Sequence, residues 1–199
     1  MSDYLDASHW KMLAEADPAR LCRRGRCRHD ADSGSFIIRL WGSEYRIEPR
    51  RGEIAREDRG PLPHPYFNVF IVSYLLLQDE IEVAGEWVSE KDFPGGATFF
   101  RGPHLLPTKV LADCYGDDLE AFAQRCQDLG GTRLPLADAA YAFTIAADLP
   151  VAVLYWIGDA DFPAEARVLF DRSLIARLPL DVVYSLGVTV CHHLAPREA

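Results

Sequence analysis

"YAFTIAADLPVAVLYWIGD", residues 141–159, decides which kind of fold this chain can make. Its apolar residues form two runs on either side of Asp148-Leu149-Pro150, so the stretch reads as two strands joined by a turn. The second run, Val151 to Trp156, is apolar on both faces, as a central strand must be. Upstream, "SFIIRLWGSEYRIEP" (35–49) alternates Phe36, Ile38, Leu40 and then Tyr45, Ile47 around Gly42-Ser43, which predicts a hairpin. "YFNVFIVSYLLL" (66–77) is apolar on nearly every face and predicts a buried helix. Pro107 opens a helix that stops at Gly116. Asp117 or Asp118 then caps another, with Leu119, Phe122, Cys126 and Leu129 on one face and Gly130-Gly131 at its end. Asp17-Pro18 caps a short helix that ends near Gly25. Downstream, helices are expected over 163–177 and 181–194, the latter capped by Asp181. Hairpins and helices come in separate blocks, so the expected fold is α+β, with β-hairpins packed on several helices in a single domain, 1–199. A polar stretch, "EPRRGEIAREDRGPLPHP" (48–65), reads as a long surface loop that separates a small N-terminal unit.

The chain has 199 residues, 49% hydrophobic and 26% charged, enough for one full core. Its net charge of −9 is unevenly placed, because residues 110–199 carry 6 basic and 13 acidic side chains. An acidic surface repels phosphate backbones and argues against nucleic acid as a partner. The exception, "RLCRRGRCRH" (20–29), reads as a solvated face, since 18 of the 21 cations are arginine wherever they occur. No basic region followed by an apolar run opens the chain, so no secretory signal is expected, and Tyr66 to Leu77 is too short to span a bilayer. A soluble cytoplasmic protein is expected, with its five cysteines as thiols.

"LPVAVLYWIGDADFPAEARVLFDRSLIARLPLDVVYSLG" (149–187) resembles the diagnostic end of an uncharacterised prokaryotic family, domain of unknown function 3786. The matching positions are Pro150, Trp156, Gly158-Asp159, Asp161-Phe162-Pro163-Ala164 and Leu169-Phe170-Asp171, followed by a leucine-rich segment. "YLLL" (74–77), "GEWVSEKDFPGG" (85–96) and "LGG" (129–131) are further landmarks, so the resemblance extends over most of the chain. Some members of that family are joined to an iron–sulfur segment, which implies a setting near corrinoid or one-carbon redox chemistry. This chain has no run of four closely spaced cysteines, so that association does not carry over.

Four groups of residues invite a functional reading. Asp159, Asp161 and Asp171 offer oxygens to a hard cation, with His104 as a base, in a metal-dependent enzyme. On the expected helix, however, Asp171 lies ~12 Å beyond Pro163 at ~1.5 Å per residue. The structural reading is therefore preferred: Asp159 in a Gly-Asp turn, Asp161 capping the helix, Glu165 favouring its positive end, Phe162 plugging the core beside Trp156, and Asp171 bonding a neighbouring backbone. Cys22-x₄-Cys27-x-His29 has ligand types that suit zinc and needs Cys191-His192-His193 to complete a site; free thiols and a polar helix end are the plainer reading. Cys126 shares an apolar face and Cys114 sits at a helix end, so neither is a good nucleophile. Finally, Gly95-Gly96 with Phe99 and Arg101 suits a flat anionic ligand, though a hairpin turn explains the same residues; together with Trp87 and Trp156 they are the expected contacts of a small ligand or cofactor. The sequence thus points to a non-catalytic accessory domain for a small ligand, cofactor or protein partner. An interaction module presenting its acidic face is a further alternative. Cofactor and oligomeric state are unknown from sequence.

Overall fold

The computed structural model describes residues 5–195 apart from 24–25, 63, 78–80 and 147–148. Within these, two antiparallel sheets and seven α-helices share one continuous apolar core. The architecture is α+β, as expected.

The first sheet is a meander of β1 (Arg28–Asp30), β2 (Ser35–Leu40), β3 (Ser43–Glu48) and β4 (Glu53–Arg56), in that order. Phe36, Ile38 and Leu40 of β2 and Tyr45 and Ile47 of β3 are buried, which is the alternation read from the sequence. The turn sits one residue earlier than expected. Leu40 pairs with Ser43, so Trp41 and Gly42 form the two-residue loop. Both have positive φ, 50° and 77°, the geometry that matches the twist of the flanking strands. A tertiary bond fixes this register, because the Trp41 amide donates to Ile145 O of the second sheet at 2.8 Å. Gly42→Ala is expected to cost about 1 kcal/mol, read as a lower urea midpoint; an unchanged midpoint would contradict the assigned turn.

The stretch 48–65 is not loop throughout. Glu53–Arg56 forms β4, pairing Ile47 with Ile54 and Glu48 with Glu53. As a short, charged edge strand it carries almost none of the apolar signal of an interior one.

The second sheet has the order β5 (Trp87–Ser89), β9 (Glu165–Asp171), β8 (Leu149–Trp156), β7 (Ala139–Ala146), β6 (Thr132–Leu134). β8 is the central strand, as its two-sided hydrophobicity implied; Asp148, in the expected turn, lies outside the described residues. The expected helix over 163–177 is instead β9 followed by a 3₁₀ turn over Arg172–Ala176. Pro163 after Asp161 imitates a helix start, but the following residues alternate. Ala166, Val168 and Phe170 are buried while Glu165 and Arg167 face solvent. Pairing from Val151↔Phe170 to Trp156↔Glu165 makes that period-two pattern decisive.

Helices α1 (Ala7–Glu15) and α2 (Pro18–Leu21) lead the chain, α2 capped by Asp17 as expected. α2 ends at Leu21; Gly25, its expected end, lies outside the described residues. α3 (Tyr66–Leu76) buries seven side chains and packs against α1 and α7. The four-residue α4 (Gly96–Phe99) precedes α5 (Lys109–Tyr115), which stops at Gly116. α6 (Leu119–Asp128) is capped by the Asp118 carboxylate on Ala121 N at 2.9 Å and buries Phe122 and Cys126, as its face predicted. α7 (Leu180–Leu194) has Pro179 at its N-cap. Asp181, expected as the cap, instead lies in the first turn, where its charge favours the helix dipole. No helix among the described residues is long and apolar enough to cross a membrane.

Helices α5, α6 and α7 pack on one face of the second sheet. Its other face carries a separate small cluster of strand residues, Ala140, Ala152 and Leu154 with Trp87, Leu134, Trp156 and Leu169.

Candidate functional site

The acidic residues after β8 do not converge. Asp159 Oδ1 accepts from the amides of Asp161 and Phe162, each at 2.8 Å, and its own amide donates to Phe162 O. The first two bonds hold its carboxyl below the usual range. Asp161 therefore belongs to this closed turn and caps no helix. Phe162, expected in the core beside Trp156, is 72% exposed. Asp171 lies at the far end of β9, about 20 Å of extended strand from Glu165 at ~3.3 Å per residue. It is buried and accepts from Ala84 N (2.9 Å), Gly85 N (2.8 Å), Ser173 N (3.0 Å) and Ser173 Oγ (2.5 Å). Burial alone would raise its pKa, but these donors outweigh burial and lower it. The motif is thus a turn and a cross-strand anchor. A cleft of about 450 Å³ does lie over the turn, between Asp159, Phe162 and Pro163 and α5 residues including Lys109 and Asp113. Lys109 already pairs with Asp113, and Asp117 accepts from Gly158 N at 3.0 Å.

The expected thiols at Cys22 and Cys27 are a disulfide. α2 stops at Leu21, and the chain turns back so that the two Cα atoms lie 4.5 Å apart. Neither sulfur is then available to zinc, and His29 rests against the Phe36 ring. Among the described residues no three His, Cys, Asp or Glu side chains cluster as metal ligands. Burial pushes the Cys126 and Cys191 thiols up to about 12, which leaves both inert.

The six residues expected to hold a ligand fall into two groups. Trp87 and Trp156 belong to the outer sheet cluster, with Arg167 over the Trp156 ring at 5.4 Å. Gly95 and Gly96 shape the approach to α4. Gly95 has φ 79°, and a Cβ on Gly96 would meet Glu90 O at 2.1 Å. Phe99 stacks on His104 at 4.6 Å, which occupies the proposed base, and Arg101 is exposed.

A different site emerges where the two sheets meet. A cavity of about 700 Å³ is walled by the β2–β3 turn, the end of β4, Thr144 of β7, and the carboxyl ends of α6 and α7. Its chemistry comes from Trp41, Ser43, Arg56, Arg125, His192 and His193. Two of these hold buried N–H donors without an acceptor, Trp41 Nε1 and Arg56 Nε. Arg56 is otherwise engaged, its Nη2 bonding Asp58 at 2.5 Å and Ser43 Oγ at 3.2 Å. Arg125 closes the end of α7, donating to His193 O at 2.7 Å and Leu194 O at 3.3 Å. Tyr115 OH also donates to Leu194 O, at 2.6 Å. The His193 ring lies 4.3 Å from that of Trp41, and His192 stacks on His64 at 4.4 Å. His192 and His193 had suggested a metal; the structure gives them to this wall. Trp41 and Arg56 were missed, and the one local sign of them is a tryptophan in a tight turn that offers it no interior.

Burial and the neighbouring His192 lower the pKa of His64, and burial lowers that of His192. The unfolded chain therefore takes up protons first as pH falls below about 6.5. The stability associated with this pair is complete above that pH and is lost on acidification through the depressed values. The urea midpoint is expected to fall between about pH 7.5 and 5.5, and His192→Phe is expected to flatten that slope. An equal slope in the variant would assign the effect elsewhere.

A family model described as "Domain of unknown function (DUF3786)" matches residues 17–193. No curated protein and no solved structure matches the chain.

Proposed function

This chain belongs to the DUF3786 family, and from that premise we propose that it is a non-catalytic accessory module that binds a small polar molecule in the cleft between its sheets. One observation carries this reading: two residues that line the cavity, Trp41 and Arg56, each hold a buried donor without an acceptor, Nε1 and Nε. A buried unpaired N–H costs about 1–3 kcal/mol, and native structures seldom retain one without a use. A bound molecule that supplies lone pairs removes both costs at once. A volume of about 700 Å³ suits an organic ligand, for which pockets run ~300–1,000 Å³. The wall offers no thiol, and Ser43 Oγ is held by Arg56, which favours binding over chemistry. The acidic balance of residues 110–199 favours a small molecule or a protein over nucleic acid.

The test is nuclear magnetic resonance of the ¹⁵N-labelled protein against nucleosides, amino acids, sugars, short carboxylic acids and sugar phosphates. At least one class is expected to move the Trp41 indole N–H signal, identified by its loss in Trp41→Phe. If every class leaves it in place at millimolar concentration, the reading fails.

A second reading rests on the outer sheet cluster, where Trp87 and Trp156 flank small buried alanines. An interaction module would use this face. Sedimentation showing an assembly that Trp156→Glu disrupts would favour it.

A further inference from the structure

We propose that the molecule held in the cleft is an organic anion, whose carboxylate or phosphate group is bound by Arg56 and Trp41 from the hairpin sheet and faces Arg125 on the helical side. This rests on the reading that the cleft binds a small molecule, and adds its chemical class.

The first argument is the type of vacancy. An indole N–H and a guanidinium Nε–H only donate. The group opposite them must bring lone pairs, and a hydroxyl or amide would bring hydrogens of its own as well. A carboxylate or phosphate oxygen has only lone pairs to present, and its bonds to a guanidinium are about twice as strong as neutral ones.

The second argument is charge. Arg125 donates to main-chain carbonyls, and among the described residues no carboxylate lies within ion-pair distance of it. Asp58 answers Arg56 on one side only, through Nη2, and the buried Nε is left without an acceptor. Against these cations stand Asp128, which is exposed and bonded to Gln124 at 2.8 Å, and the negative ends of α6 and α7. The end of α7 is already met by Arg125 and Tyr115. Arg125 is thus the cation left for a ligand to neutralise. The walls also include Trp41, Leu129 and the His193 ring. A cavity this large is not filled by a bare phosphate or acetate, so the anionic group is one end of a larger molecule with an apolar or ring-bearing body.

The decisive experiment uses the full chain and probes matched in shape but not in charge: glutarate with glutaramide, ribose 5-phosphate with ribose, and inorganic phosphate. Binding is read by titration calorimetry and by the Trp41 indole N–H signal. The charged member of at least one pair is expected to bind and move that signal, more weakly as salt is raised, while its uncharged partner does not. Arg56→Gln is expected to weaken binding by about tenfold or more. Trp41→Phe does the same if Arg56→Gln does not fold. A response to ribose 5-phosphate alone identifies a phosphate ligand and a response to glutarate alone a carboxylate; either supports the proposal. If uncharged members bind the cleft as well as their charged partners, the anion assignment is overturned while the binding reading stands. If no probe binds and nucleosides, which carry no anionic group, move the signal instead, the anion assignment again fails alone. If nothing moves it, both fall.

Discussion

Asp171→Ala is expected to lower the free energy of unfolding by about 3 kcal/mol, measured by urea denaturation. The Asp171 carboxylate is buried where β9 ends, and it receives the amides of Ala84 and Gly85, some ninety residues upstream, together with the amide and hydroxyl of Ser173. Truncation takes the buried acceptor from three main-chain donors, at exposed Ala84 and Gly85 and half-buried Ser173; water replaces it in part, so each donor costs toward the low end of about 1–3 kcal/mol. Asp171→Asn keeps the shape but turns an NH₂ group toward amides that also donate, so about 2 kcal/mol is expected. Because the carboxyl titrates below its ordinary 3.8, its contribution is complete above that pH. It is lost as pH falls through the depressed value, and the asparagine variant should lack this acid limb. Both variants within 0.5 kcal/mol of the parent, measured against a range of about 2–3, would mean that Asp171 is free to serve a reactant. The metal-enzyme alternative would then return.

Gly96→Ala is expected to be of similar size, about 2–4 kcal/mol, for a steric reason. A Cβ at this position would stand 2.1 Å from Glu90 O and 3.3 Å from Lys91 Cα, both main chain, so no side chain can swing away to make room. Gly96 N also donates to Phe93 O at 2.7 Å, which pins α4 against the preceding 3₁₀ turn over Glu90–Asp92. Thermal unfolding of Gly96→Ala should therefore fall well below that of Gly95→Ala. At Gly95 the φ of 79° is strained, but the nearest atom a Cβ would meet is Leu180 Cδ1 at 3.6 Å. A Gly96→Ala protein as stable as the parent would free this glycine pair for the ligand contact that the sequence suggested.

The elements legible beforehand share one property: their signal is complete within about ten residues. Tyr66–Leu76 is apolar on every side, Asp118 caps the face of Phe122 and Cys126, and Phe36, Ile38 and Leu40 alternate into a hairpin. The strand Glu165–Asp171 was misread because two local signals disagreed there. Asp161 and Pro163 resemble the start of a helix, whereas Ala166, Val168 and Phe170 alternate as a strand. The partner Val151–Trp156 settles the conflict by pairing along the whole length of β9. Glu53–Arg56 was hidden for a related reason, as an edge strand with one buried partner needs few apolar residues.

The α+β class, the central strand and the helix caps at Asp17 and Asp118 were legible in the sequence alone, because periodicity and capping are properties of neighbouring residues. The Cys22–Cys27 bond, the strand at 165–171 and the cleft needed the tertiary structure. Trp41, Arg56, Arg125 and His192 come together only when the two sheets close against the ends of α6 and α7. What marks the site is a pair of donors left without acceptors. An unmade hydrogen bond is a property of the closed packing around it, and no local pattern of residues encodes it.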